Sequence, residues 1–152
     1  MLLTNHKLYE ALILAAVVSP IEIANSEKVT GAVDMSKFER VIAILTLGNM
    51  GNATVDFRLE SDSASAFNVD KQTVVAATQL AAPGSPATAN DNKQIILEAA
   101  GHDLKAGHRY LRGRTIGGSA NTGPGAVVIL GIPKATGNPT NPASVVQTKA
   151  AS

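Results

Sequence analysis

Residues 41–60 read VIAILTLGNMGNATVDFRLE, and this stretch decides the fold. Its first seven residues form a continuous apolar run rich in β-branched side chains, the mark of a strand buried on both faces. Residues 48–52, GNMGN, supply a turn with two glycines. In residues 54–60 the pattern changes to strict alternation. Val55, Phe57 and Leu59 fall on one face, and Thr54, Asp56, Arg58 and Glu60 on the other, as in a half-buried strand. The two segments together read as a hairpin.

The same signals recur on either side. Residues 72–80 (QTVVAATQL), 93–99 (KQIILEA), 108–116 (HRYLRGRTI) and 126–132 (AVVILGI) read as strands. Between them lie turn-forming stretches at 83–92 and 117–125, the second expected to be a long hairpin loop. Upstream, residues 21–23 and 28–33 predict two short strands. The ends differ from this middle. Asn5 is placed to cap a short helix running to about Val18, with Leu8, Leu12, Ala15 and Ala16 along its apolar stripe. A strand over residues 13–18 competes with it. Residues 133–152 carry three prolines and no periodicity. Seven or eight short strands with turns between them predict an all-β fold, a β-sandwich or jelly roll. The expected layout is an N-terminal arm or short helix or strand over 1–28, a sandwich body over 29–133 and an extended C-terminal arm over 134–152.

Composition narrows the function. At 152 residues the chain has the length of one domain with a sizeable core. It has no Cys, which removes disulfides, thiolate nucleophiles and Cys-type metal centres. The 13 basic and 12 acidic residues leave a net charge of +1, which argues against a protein built to hold phosphate backbones. Charged residues make up 16%, below the roughly 25% of ordinary soluble domains, and Lys134 and Lys149 are the only charges after Arg114. That shortage points to a surface that meets other protein. The longest apolar run, residues 11–18, is far shorter than a bilayer span, and no cleavage signal follows it. The expected setting is a reducing cytosol, with no membrane partner.

No catalytic, metal or cofactor set emerges. His102, Asp103 and His108 are close in sequence, but their spacing matches no established zinc pattern. The serines at 61, 63 and 65 sit in no nucleophile elbow. Residues 117–125 are rich in glycine but lack the Gly-Lys-Ser/Thr ending and following helix of a phosphate loop. The basic run Lys105, His108, Arg109, Arg112 and Arg114 surrounds a lone Tyr110, too few aromatics for a base-stacking platform. It is expected to serve ion pairing or a protein interface. Candidate interface residues are therefore Arg109, Arg112 and Arg114, together with Leu8, Leu12, Val145 and Val146, apolar residues outside the expected β core.

The order of segments resembles that of small virion structural proteins of tailed bacteriophages. A V-D-x-x-x-[YF]-x-x-[VA] pattern is carried by Val33, Asp34, Phe38 and Val41. Residues 57–62 (FRLESD) follow, then Gly107, Arg109, Tyr110, Leu111 and Arg112 in a G-x-R-Y-L-[RK] strand, then VVILGIP at 127–133. The similarity spans about residues 29–134, and its motifs are short and mostly structural. It implies a non-enzymatic head decoration or cement protein on the capsid exterior, assembled in the host cytoplasm. It also implies the major capsid protein as partner and homo-oligomers with trimers favoured, while the net charge and the lone Tyr110 already argue against nucleic acid as a partner. A neck, tail or fibre-anchoring component is the alternative, and a glycan or nucleic-acid recognition module a more distant one.

Overall fold

A computed structural model describes residues 12–22, 26–51, 53–80, 90–118 and 124–134. The expected arm residues 1–11 and 135–152, with Leu8, Val145 and Val146, lie outside the described residues. Among the described residues nine strands run in chain order: β1 (Ile13–Glu22), β2 (Glu27–Val29), β3 (Val33–Asp34), β4 (Phe38–Leu47), β5 (Val55–Asp62), β6 (Gln72–Ala76), β7 (Gln94–Ala100), β8 (Tyr110–Gly117) and β9 (Pro124–Pro133). A single 3₁₀ turn, Gly101–Asp103, follows β7. The all-β sandwich expected from the sequence is present.

The strands form two antiparallel sheets. One has the order β1-β9-β4-β7, the other β2-β8-β5-β6, with β3 also paired to β8. With β2 and β3 taken as one interrupted strand, β1 pairs β9, β2/β3 pairs β8, β4 pairs β7 and β5 pairs β6. The chain is thus one long hairpin rolled up on itself, the order of a jelly roll. Between β2 and β3 the Thr30 hydroxyl takes the place of a ladder partner: Oγ1 accepts from the Gly113 amide at 3.0 Å and donates to the Gly31 carbonyl at 2.9 Å.

The core lies between the sheets. Val41, Ala43, Leu45 and Leu47 of β4 and Val127 and Ile129 of β9 meet Val55, Phe57 and Leu59 of β5 and Leu111 of β8, all buried. Burying side chains of this size contributes about 1.5–3 kcal/mol each, which is enough to set the inward register of both sheets.

Three expectations are corrected. First, residues 41–47 and 54–60 are strands but not a hairpin: β4 and β5 lie in different sheets. The connection from residue 48 to 54 must cross the roughly 10 Å between layers. It is anchored in doing so: Met50 is fully buried, its amide donates to Asp91 Oδ1 at 2.6 Å, and the Asn92 amide donates to the Gly48 carbonyl at 3.0 Å. Second, β8 and β9 are likewise in different sheets, so they do not form the hairpin expected about residues 117–125, of which 119–123 lie outside the described residues. Third, Ile13–Glu22 is an edge strand on β9, not a helix. Four consecutive β-branched or small residues at 15–18 fit a pleated strand, and register shifts at Leu14/Ala16 and Val18/Ile21 accommodate its twist.

Candidate functional site

The two outer faces of the sandwich are chemically opposite. On the β2-β8-β5-β6 sheet, the alternation of β5 and β8 sends Arg58, Glu60, Arg112 and Arg114 outward as cross-strand neighbours, with Arg58 opposite Arg114 and Glu60 opposite Arg112. Glu60 is 5% exposed and sits at the centre. Its Oε2 accepts from Arg112 at 3.0 and 3.2 Å, its Oε1 accepts from Arg114 at 2.9 Å, and Arg58 Nε stands 3.8 Å away. Burial opposes ionisation of Glu60, but the hydrogen bonds and charges of Arg114 and Arg112 outweigh it, and the pKa is lowered. Arg114 also donates to Glu27. The Phe67 ring lies 4.4 Å under the Arg112 guanidinium, a cation–π contact.

Of the arginines singled out in the sequence, Arg112 and Arg114 are therefore brought together by a shared carboxylate. Arg109 stands apart from them, in a bidentate pair with Asp34 at 2.6 and 2.8 Å. That guanidinium, with hydrogen bonds from Ser36, holds the Asp34 carboxyl well below its usual range. Leu12 lies just before β1, half-buried, on the other sheet. The arginines of the basic run are thus paired within the chain to Asp34, Glu60 and Glu27, although Arg114 Nε is buried without a hydrogen-bond partner among the described residues.

Next to this network the fold brings together a serine, a histidine and an aspartate. Ser61 Oγ lies 2.8 Å from His108 Nδ1, and His108 Nε2 lies 3.6 Å from Asp70 Oδ2. Ser61 is fully buried, between β6 and β8 in the sheet, so no substrate reaches its hydroxyl. The Ser61–His108 hydrogen bond pins the 105–109 turn onto β5, beside the 63–71 loop that carries Asp70. That loop is organised by Asp62, which accepts from the Ala64, Val69 and Asp70 amides at 3.0–3.3 Å. It holds Phe67 in the left-handed region at φ 53°, a conformation that persists in a non-glycine residue only where the surroundings impose it. His102 meets Asp103 at 3.4 Å on the surface. Among the described residues no group of three His, Cys, Asp or Glu side chains is placed to hold a metal ion. No described helix is long and apolar enough to cross a membrane.

The opposite face is the one that sequence reasoning missed. The apolar outward positions of the β1-β9-β4-β7 sheet are Ile42 and Ile44 on β4, Val128, Leu130 and Ile132 on β9, Leu14 and Val17 on β1, and Ile96 on β7, with Arg40, Thr46, Gln94 and Glu98 the polar ones on β4 and β7. Their registers place Val17, Val128, Ile44 and Ile96 in one row and Leu14, Leu130, Ile42 and Glu98 in the next. Ile96 is 61% exposed. Among the described residues the face also carries the ion pair of Arg40 with Glu98 at 2.6 Å, and Glu39 is exposed beside Arg40 on β4. Every described strand belongs to one of the two sheets, so none lies over it. The expectation that residues 41–47 are buried on both faces fails here: Ile42 and Ile44 are only partly buried. The signal was present in VIAILTL and AVVILGI, two doubly apolar strands that prove to be neighbours.

No protein-family model matches the sequence, and no curated protein matches it.

Proposed function

We propose that this chain is a non-enzymatic structural protein of a tailed-phage particle, a head decoration or cement protein that binds the assembled capsid from outside as an oligomer. The observation that carries the reading is the apolar outer face of the β1-β9-β4-β7 sheet, in a chain whose charged groups on the other face are matched internally. Contiguous apolar surface of this kind is a mark of protein–protein contact. The jelly roll supports the reading as a fold much used in viral coats, although a fold alone does not assign a function. The motif resemblance over residues 29–134 supports it as well. Binding the shell and not its dispersed subunits stabilises the assembled state by mass action.

The test is to purify particles from a lysate of cells that express the gene during infection and to count this chain against the major capsid protein by quantitative mass spectrometry. Copies on the scale of the major capsid protein are expected. About a dozen or fewer would move the protein to the neck or tail, and absence from particles would overturn the reading.

A further inference from the structure

We infer that the outer face of the β1-β9-β4-β7 sheet is the seat of a second copy of this chain, packed face to face across a two-fold axis near Ile44 and Val128. The inference rests on the reading above in taking this face as the protein's contact surface, and it names what covers it.

The choice of partner follows from charge. The middle of the face is neutral, because Arg40 and Glu98 pair with each other; Glu39, exposed near the start of β4, is a further charge beside them. Its partner must therefore be apolar and without net charge of its own. If the partner were the opposite sheet of another copy, the isoleucines would lie over Arg58, Glu60, Arg112 and Arg114, and those ions would lose solvent with nothing gained. Among the described surfaces of this chain, the one that matches the face is the face itself. A surface that binds itself gives an isologous contact and a closed pair. Stacked sheets pack about 10 Å apart with strands aligned within about 30°, a geometry that lets the Val17-Val128-Ile44-Ile96 row cross its own image.

The size of the face sets the strength. Four strands about 4.8 Å apart and about seven residues long cover roughly 440 Å² per copy. About 900 Å² over two copies lies below the ~1,200–2,000 Å² of stable complexes, so a dissociation constant on the order of 10 µM is expected. Such a pair forms when copies are concentrated on a surface. It would clamp two shell subunits that are themselves related by a two-fold axis, in place of the three-fold grouping that the motif resemblance implies.

Sedimentation velocity on the full chain from about 1 to 200 µM tests the inference, the range being chosen to bracket that constant. The wild type should pass from monomer to dimer. Ile96→Lys and Ile132→Lys should remain monomeric, with circular dichroism and melting temperature close to wild type, since both side chains already face outward. Val69→Lys, on the loop after β5 and 68% exposed, should dimerise as wild type. A wild type that stays monomeric throughout, a trimer, or a dimer that Val69→Lys breaks and Ile96→Lys does not would overturn it. If the wild type is monomeric and Ile96→Lys loses only particle binding, the face docks on the shell directly. That outcome overturns the second-copy inference and leaves the proposed function standing. A self-associating chain absent from particles does the reverse.

Discussion

Asp62 shows how much one carboxylate organises here. It is fully buried at the end of β5 and accepts from three amides and the Ser63 hydroxyl, which fixes the loop that carries Phe67 under Arg112. Burial works against its ionisation, but the amide hydrogen bonds prevail and its pKa is lowered. Asp62→Asn replaces one acceptor oxygen by a donor facing amides, and should cost about 1–3 kcal/mol in denaturant unfolding. Glu60 is lowered as well, and the Lys105 and Gln72 hydrogen bonds bring Asp70 down to about 2. Carboxylates depressed in the folded state contribute stability that is complete above their ordinary values of 3.8–4.5 and is lost as the pH falls through the folded values. The melting temperature should therefore hold from about pH 7 to 5 and fall steeply below about pH 4, less steeply in Asp62→Asn. A flat profile down to about pH 2.5, or an equal slope in the variant, would contradict this account.

At the scale of the element, β9 is central to its sheet and tightly fitted. A methyl group added at Gly131 would fall inside the buried Phe38 ring. Gly131→Ala should destabilise by about 1–3 kcal/mol, and a further Phe38→Leu should return part of the loss. If the double variant is no better than the single, the clash is not the cause. Most strands were legible in the sequence to within a few residues, because alternation and apolar runs are local properties. Their connections were not. Val55, Phe57 and Leu59 say which face of β5 is apolar, but not which sheet it joins, and the difference between a hairpin and a crossing lies in Met50 and Asp91, 41 residues apart. The N-terminal stretch was ambiguous for a similar reason: Leu12, Ala15 and Ala16 satisfy a helical stripe, and pairing with β9 selected the strand.

For the whole molecule, the two faces assign different fates to charge and to apolar surface. The basic run was expected to serve ion pairing or a protein interface, and Asp34, Glu60 and Glu27 lie against its arginines. With those pairs in place, titration with duplex DNA or single-stranded RNA should show no binding that weakens systematically with salt. A steep salt slope would mean that the arginines leave their carboxylates to take phosphates. The candidate contact face was half legible. The apolar runs were plain, but a doubly apolar strand implies burial on both sides only if the fold supplies a third layer, and the number of layers is not written in any local pattern.

The rolled-hairpin order also governs how the protein is made. β9 is the last of the described strands to be synthesised, yet it sits between β1 and β4, and Ile13 pairs with Gly131. Until residue 133 has left the ribosome, β1 has no described neighbour in the sheet and one side of β4 stands open. Folding must therefore be completed after synthesis, through pairings of long sequence separation that form slowly, in milliseconds to seconds or longer. During that interval strand edges are unpaired, which makes nascent chains, rather than finished ones, the form most at risk of aggregation.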